Sequence, residues 1–351
     1  MIGTLAVVFV FGGLIFFHEL GHFLAARCFG MGVKTFSLGF GPALVSFKRQ
    51  KTVYQIAAMP LGGFVSLVGE HAGAEVPEDF APEEMFHLRP AWQRFCVCAA
   101  GSVANFLLAW IICWGLVWAN GHVDTSSVVG AIMEDSAAAA SPMQVGDRIV
   151  SLNDRPVAIW SEISPIVQES RGNALSVVVR RADGSMQSFS LVPTLLKETL
   201  PNGQEFRKWG MGIRPAHREY SFFQSAQEGL ADAVNMASFI WNALGELVTR
   251  EVAFDNVGGP ILIAQTIYNQ AYYGLISLMK LTALISVNLA LLNLLPVPVL
   301  DGGHLLFLLA EMIFRRPVPA IIQEKATIIG LALLICLMLA ATFNDVMRFF
   351  S

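Results

Sequence analysis

Charged side chains are scarce in this sequence: Asp, Glu, Lys and Arg make up 14% of the 351 residues, whereas 54% are hydrophobic. Soluble domains carry about 25% charged residues, so this composition excludes an ordinary soluble protein. It predicts an integral membrane protein with some soluble mass attached. The net charge of −4 is small. Because nucleic-acid-binding domains present a basic face, we expect no nucleic-acid partner.

Cysteine is also infrequent, and the five cysteines all lie in or beside apolar segments: Cys28, Cys96, Cys98, Cys113 and Cys336. None is placed to cross-link an exported loop, so we expect no disulfide framework. Cys96 and Cys98 are separated by a single residue. This spacing is not that of the usual zinc ribbons, and we interpret the pair as packing residues.

Lys and Arg are absent before Arg27, and no charged residue of either sign lies between Met1 and Phe17. A cleaved signal peptide begins with a basic region. We therefore expect residues 1–26 to stay attached as the first transmembrane helix, with the N-terminus outside the cytoplasm. Seven basic residues follow from Arg27 to Arg94, which assigns region 27–94 to the cytoplasmic side.

The first transmembrane segment carries the pattern H-E-L-G-H from His18 to His22. On a helix the two histidines lie on one face, where two imidazoles can bind one Zn²⁺. Glu19 then lies beside the metal, where it can accept a proton from a water molecule. Ionisable groups are costly at membrane depth, so this location favours a functional metal site over a chance match.

Residues Val33 to Val68 are rich in glycine and β-forming residues, which predicts short strands and turns. One interpretation is an ordinary cytoplasmic hairpin. The other is a β-element at the membrane, whose free edge pairs with an extended substrate. The spacing of the residues leaves both interpretations open.

The uncharged residues 95–120 predict the second transmembrane helix. Its small residues, such as Gly101 and Ser102, permit close helix contacts. Asn105 is expected at a depth similar to that of the histidine pair. Its side chain either steadies a metal ligand or a substrate carbonyl, or forms an interhelical hydrogen bond.

After Gly121 the composition becomes that of a soluble domain, with helices expected at 137–140 and 161–168 and strands at 128–133, 148–152, 175–180 and 186–191. The segment from Ser141 to Asn153, S-P-M-Q-V-G-D-R-I-V-S-L-N, resembles the turn into the central strand of a PDZ domain. This resemblance implies a PDZ domain at 123–197, which would bind a peptide ligand by strand addition. Large domains cross membranes regardless of their charge, so we place it outside the cytoplasm.

Residues 198–279 have a high apolar content that polar residues repeatedly interrupt. We expect amphipathic helices here, lying at the outer face of the membrane. A fifth spanning helix is the alternative, and it would invert the topology of all downstream segments.

The third transmembrane helix is predicted at 280–304 and the fourth at 326–346. The third ends in L-D-G-G-H at residues 300–304, after two prolines that break the helix. Because this helix runs inward, Asp301 reaches the depth of the histidine pair. A carboxylate there supplies the third ligand that a catalytic zinc needs and leaves a fourth position for water. His304 is the rival third ligand.

The combination of H-E-L-G-H in the first transmembrane helix, a PDZ domain after the second, and N-x-x-P-x-P-x-L-D-G-G-H in the third resembles the site-2 protease family. The most similar branch is the bacterial one that contains the regulator-of-sigma-E protease. This resemblance implies an intramembrane metalloprotease with a Zn²⁺ cofactor. It implies His18, His22 and Asp301 as metal ligands and Glu19 as the general base.

The same resemblance implies that residues 33–68 form a membrane-reentrant β-element and that Asn288 and Asn293 handle the substrate, in addition to the candidate Asn105. Two features depart from the family pattern. The best-known member has two tandem PDZ domains, whereas this chain has room for one. Ser102 stands where the family more often has a proline, which affects the local helix shape.

We therefore expect a polytopic α-helical membrane protein with four transmembrane helices, a membrane-reentrant β-element and one inserted α+β PDZ domain. Its substrates would be single-pass membrane proteins, cut within the lipid bilayer during regulated intramembrane proteolysis; anti-sigma factors and signal peptides are examples. We expect a bacterial inner-membrane location, with both termini and the PDZ domain outside and the active site near the cytoplasmic face.

Two rival functions are a membrane zinc-binding or transport protein and a non-catalytic PDZ scaffold. Transporters also bury His, Asp and Asn between helices. A transport site, however, needs no glutamate beside the first histidine, and a scaffold needs no intact set of metal ligands.

Overall fold

The computed structural model describes residues 2–70, 76–199, 205–249 and 258–348. The chain divides into two compact units, Met1–Trp114 with Glu228–Ser351, and Gly115–Gln227. In chain order, the helices and strands are α1 (Ile2–Cys28), β1 (Val33–Arg49), β2 (Thr52–Leu67), α2 (Ala91–Asn120), β3 (His122–Val123), β4 (Val129–Ile132), β5 (Arg148–Leu152), β6 (Arg155–Pro156), α3 (Ile163–Glu169), β7 (Leu175–Arg180), β8 (Met186–Leu191), β9 (Thr194–Thr199), β10 (Glu205–Gly210), β11 (Ile213–Pro215), β12 (His217–Arg218), α4 (Phe222–Thr249), α5 (Pro260–Gln270), α6 (Leu275–Leu294), α7 (Asp301–Phe314) and α8 (Ala320–Arg348).

Four of the described helices are long and apolar enough to cross a membrane: α1, α2, α6 and α8. They correspond to the four spans predicted from the sequence, although α2 begins at Ala91 and α8 at Ala320, several residues before the predicted starts. Helix α4 lies where a fifth span was the alternative, and it is not among the four. Polar residues such as Glu228 and Asp232 interrupt its apolar surface. The chain is thus a multi-pass α-helical membrane protein.

The third predicted span, 280–304, consists of two helices. Helix α6 ends at Leu294, and a separate helix, α7, begins at Asp301. Pro296 and Pro298 lie between them and have no N–H group with which to continue the helical hydrogen bonds. The proline break was expected, but the new helix that starts at Asp301 was not.

Strands β1 and β2 are longer than the expected short strands, and they pair with each other along three stretches: residues 33–38 with 63–67, residues 35–38 with 53–56, and residues 43–49 with 52–57. Gly39 and Gly41 bend β1, with φ values of +93° and +89° that other residues rarely adopt. Because the strands bend, Phe36 pairs with both Val65 and Tyr54. Whether this element enters the membrane stays a prediction.

A buried apolar cluster joins the base of this hairpin to the end of α1 and the start of α2; its members are Ala26, Met31, Val33, Leu67 and Val97. A second cluster packs Val10 and Leu14 of α1 against Ile267 of α5. Burial of these side chains stabilises the position of α1, which carries the H-E-L-G-H pattern, against the β1–β2 hairpin, α2 and α5.

The second unit contains a four-stranded antiparallel sheet in the order β6-β5-β7-β8. Its core includes Ile149, Leu152, Val177 and Val179, with Val167 from α3 packed against them. All four predicted strands and the helix near 161–168 are found in this unit. Residues 137–140, predicted as a helix, form turns instead.

The second unit continues past the predicted boundary at residue 197. Strand β11 pairs with β4 and strand β12 pairs with β3, so part of the region predicted as interfacial helices is β-structure of this unit. The reason is tertiary: these short strands become stable only by pairing with partners about 80 to 100 residues earlier in the chain. The described helices that lie entirely within the predicted interfacial region are α4 and α5, and α6 begins at its end, at Leu275.

Candidate metal centre

Three side chains from α1 and α7 converge on one point. Nε2 of His18 lies 3.3 Å from Nε2 of His22 and 3.3 Å from Oδ2 of Asp301, and the His22–Asp301 distance is 3.4 Å. Among the described residues this is the only group of His, Cys, Asp or Glu side chains arranged to hold a metal.

The spacing of these three atoms fits zinc. Ligands at about 2.0–2.1 Å from a tetrahedral Zn²⁺ are about 3.3–3.4 Å from one another, which matches all three distances. Oδ2 of Asp301 is buried and has no hydrogen-bond partner in the described part of the chain. A buried acceptor without a donor is costly, and a cation would satisfy it. Three corners of the tetrahedron are thus present, and the fourth is available to water or substrate.

The two histidines lie one helical turn apart on α1, so their rings share a face. Nδ1 of His22 lies 2.8 Å from the main-chain carbonyl oxygen of Val97 on α2. Since a carbonyl can only accept, Nδ1 carries the proton, and the lone pair is left on Nε2. The tautomer that binds a metal through Nε2 is therefore fixed by α2.

Helix α2 approaches the histidines closely because glycine lies at the contact. A Cβ atom built on Gly101 would lie 2.7 Å from Cε1 of His18 and would overlap the ring of His22. On the α1 side, a Cβ on Gly21 would lie 2.8 Å from that of Ala104. Small residues are typical of close helix crossings in membranes.

Asp301 owes its position to the start of α7. The chain folds tightly on itself there: a Cβ on Gly302 would lie 2.5 Å from the carbonyl carbon of Leu294, and one on Gly303 would lie 2.5 Å from the carbonyl oxygen of Val297. Asp301 is the first residue of α7, where a carboxylate is also favoured by the helix dipole. The rival ligand, His304, is exposed and lies outside the cluster.

Glu19 borders both the histidines and strand β2. A Cβ on Gly63 would lie 3.2 Å from Cγ of Glu19, and the main chain of Val65 faces the Glu19 carboxylate. The Glu19 carboxylate thus lies beside strand β2 and close enough to both histidines to interact with them electrostatically.

The three asparagines expected to handle substrate are not part of the cluster. Asn105 is 1% exposed, and its main-chain carbonyl accepts a 2.7 Å hydrogen bond from Ser286 of α6. Its side-chain Oδ1 is buried and has no partner among the described residues. The interhelical hydrogen bond expected for Asn105 is therefore accepted by its main-chain carbonyl and not made by its side chain. Asn288 and Asn293 are half-buried on α6.

Sequence reasoning missed the roles of Val97 and Gly101. Val97 contributes a main-chain atom, which no residue type signals. The sequence indicated that Gly101 permits a close helix contact, but it did not indicate that this contact is with His18 and His22.

Comparisons with known proteins identify the family to which the chain belongs. The model of peptidase family M50 matches residues 6–337. The zinc metalloprotease RasP of Bacillus licheniformis is 29% identical over 425 aligned residues, covering 99% of this chain and 99% of the relative. The regulator of sigma-W protease RasP of Bacillus subtilis is also 29% identical, over 422 residues, with 99% of each chain covered.

Among solved structures, the PDZ domain of an SdrC-like protein from Listeria monocytogenes is 15% identical and covers 27% of this chain and 90% of its own, with a TM-score of 0.22. That likeness is too weak to carry an argument. The family match spans nearly the whole chain, including the H-E-L-G-H and L-D-G-G-H patterns, and it confirms the resemblance seen in the sequence: the chain belongs to peptidase family M50, the site-2 protease family.

Proposed function

We propose that the chain is an intramembrane zinc metalloprotease in which His18, His22 and Asp301 bind Zn²⁺ and Glu19 is the general base. The observation that carries this proposal is the triangle of ligand atoms with sides of 3.3–3.4 Å, with Glu19 beside it. Membership of a peptidase family supports the hydrolytic reaction, and two relatives are named as metalloprotease or protease.

Each residue of the site has a defined task in peptide hydrolysis. A bound Zn²⁺ supplies Lewis-acid polarisation of the scissile carbonyl and makes a water molecule more acidic. Glu19 accepts the proton of that water and later passes it to the leaving amine. The Val97 carbonyl keeps the His22 Nε2 lone pair directed at the metal throughout.

The substrate must be extended at the site, because helical peptide bonds are shielded by their own hydrogen bonds. Strand β2 runs past Glu19 at Gly63 and Val65, and it can hold an extended segment by main-chain hydrogen bonds. This role requires the β1–β2 hairpin to be membrane-reentrant. Asn105, Asn288 and Asn293 are candidates to bind the peptide groups that unwinding exposes.

The topology that we propose places both termini and the Gly115–Gln227 unit outside the cytoplasm of a bacterial cell, in the inner membrane. The basic residues between Arg27 and Arg94 support a cytoplasmic location for the hairpin and the metal centre. The outer unit acts as a PDZ domain and admits single-pass membrane proteins whose external domains have been removed. Membrane-anchored anti-sigma factors are a candidate class, since one relative is named regulator of sigma-W protease.

Cleavage of a single-pass membrane protein without its external domain, by the purified full chain, tests the proposal. We expect wild type to cut within the membrane segment, Glu19→Gln to bind zinc without cutting, and Asp301→Ala to lose both properties. The control is Glu78→Gln, which removes an exposed carboxylate. Turnover by Glu19→Gln at the wild-type rate would refute the general-base assignment, and a transporter or scaffold would be indifferent to this substitution.

A further inference from the structure

Arg94 of α2 and Glu311 of α7 form an ion pair between residues 217 positions apart in the chain. Nε of Arg94 also donates to the carbonyl oxygen of Arg89 at 2.9 Å, so the guanidinium is held at two points. Only 14% of the Arg94 side chain and 19% of the Glu311 side chain are exposed. Water therefore competes weakly with this contact.

Both charges lie at the end of the helix where its dipole disfavours them. Arg94 is in the first turn of α2, near the positive end of the dipole. Glu311 is in the last turn of α7, near the negative end. Neither residue stabilises its own helix by its charge. Each charge is instead stabilised by the other, which indicates that the ion pair fixes the position of α7 relative to α2.

Helix α2 also contacts the two histidines of the metal centre. Val97, one turn after Arg94, accepts the hydrogen bond from His22, and Gly101 contacts both imidazoles. The same short stretch of α2 thus contacts the ligands of α1 and, through Arg94, the helix that bears the third ligand.

Helix α7 needs a contact near its far end to keep Asp301 in place. Its start is fixed by the close packing of Gly302 and Gly303 on the preceding loop. Leu305 and Leu308 of α7 are also buried, but apolar packing has no preferred direction, so the helix can still pivot about its start, which tilts the Asp301 carboxylate. Glu311 is ten residues further on (301 to 311), about 15 Å along the axis. A directional contact at this distance opposes the pivoting.

We propose that Arg94 and Glu311 are a positioning pair, which ties α7 to α2 and keeps Asp301 Oδ2 at metal-binding distance from the two imidazoles. The pair contacts neither metal nor substrate. This inference rests on the proposed zinc site, and the residues act on the affinity and geometry of that site. Substitutions of residues that orient metal ligands typically weaken metal binding by about 10–100-fold.

The test measures zinc affinity of the full chain in detergent, by competition with a chromophoric chelator, and the visible absorption of the Co²⁺-loaded protein as a probe of coordination geometry. We expect Glu311→Gln and Arg94→Gln each to weaken zinc binding at least about tenfold and to change the Co²⁺ spectrum. The exchanged pair, Arg94→Glu with Glu311→Arg, should recover both properties, and Arg94→Lys should fall between wild type and Arg94→Gln. The control is Glu169→Gln, which breaks the Arg155–Glu169 pair of the other unit.

Wild-type affinity and a wild-type Co²⁺ spectrum in Glu311→Gln would overturn the inference. So would single variants that lose metal when neither the exchanged pair nor Arg94→Lys restores any of it, because the pair would then act only through general folding. A wild-type chain that binds no zinc would instead overturn the proposed function. The two failures are therefore distinct.

Discussion

The carbonyl oxygen of Val97 lies 2.8 Å from Nδ1 of His22, so a main-chain atom of α2 determines which nitrogen of an α1 side chain carries the proton. No side-chain substitution at Val97 removes this acceptor. The contact depends only on how closely the two helices cross. Gly21 and Gly101 set the distance between α1 and α2 at their crossing. A substitution that separates the two helices should therefore also disturb the metal centre.

Gly101→Ala should release zinc. The added methyl group overlaps the imidazoles of His18 and His22, so the helices must separate and the Val97 hydrogen bond lengthens. We expect zinc affinity to fall at least about tenfold. The matched control is Gly115→Ala in the same helix, where nothing in the described part of the chain lies within 4 Å of the added atom. Equal zinc content in the two purified variants would contradict the close-crossing argument.

Asp301 and His304 should differ in their effect on zinc-dependent stability. Zinc at 100 times its Kd should stabilise wild type by about 2.7 kcal/mol, which is measured as a rise in the Tm. Asp301→Ala should lose most of this rise because one ligand is missing, whereas His304→Ala should keep it because His304 is exposed outside the cluster. The opposite pattern would make His304 the third ligand.

Gly63→Ala should lower turnover without removing zinc. The new methyl group would lie 3.2 Å from Cγ of Glu19 and 2.8 Å from the carbonyl oxygen of Ser37, so either Glu19 or strand β2 must move. A displacement of about 1 Å at a reacting group costs about 100-fold in rate. The comparison is Gly12→Ala in α1, which has open space around the added atom. A kcat equal to wild type would show that β2 does not constrain Glu19.

Asp345→Asn should destabilise the unit formed by Met1–Trp114 and Glu228–Ser351. Asp345 of α8 is 2% exposed and accepts hydrogen bonds of 2.9 Å from the main-chain N–H groups of Gly259 and Leu262, at the start of α5. Replacing one carboxylate acceptor with an amide donor should cost about 1–3 kcal/mol in the free energy of unfolding. Breaking the exposed Arg155–Glu169 pair should cost less than about 1 kcal/mol. If Asp345→Asn and a variant without the Arg155–Glu169 pair lost similar amounts of unfolding free energy, the hydrogen bonds from the start of α5 to Asp345 would contribute no more than an exposed ion pair.

Local patterns of the sequence predicted the parts of the site that depend on local geometry. His18 and His22 are four residues apart, and helical geometry alone places them on one face. The proline break before Asp301 likewise follows from the missing N–H groups. The structure brings together the three residues that were expected as ligands, His18, His22 and Asp301; that they bind a metal stays a prediction.

Apart from the approach of Asp301 to the histidine pair, which the order of the predicted spans indicated, contacts between distant residues were beyond sequence reasoning, because a single sequence shows no pairing. Arg94 reads as one more basic residue of a cytoplasmic loop, and only the tertiary structure pairs it with Glu311. The double pairing of Phe36 with Val65 and Tyr54 is similar. It arises from the bends at Gly39 and Gly41, whereas glycine by itself indicates a turn and not which strands meet after it.

The order of the elements along the chain has a consequence for biosynthesis. His22 and Asp301 are 279 residues apart (301 − 22), and the whole Gly115–Gln227 unit lies between them. At about 5–20 residues per second, a ribosome needs about 14–56 s to proceed from one to the other. Throughout that time the nascent chain has two imidazoles but no carboxylate to complete the site. With the ligand set proposed above, the protease is therefore inactive during its synthesis, and it can bind zinc through all three ligands only after the Gly115–Gln227 unit has been made.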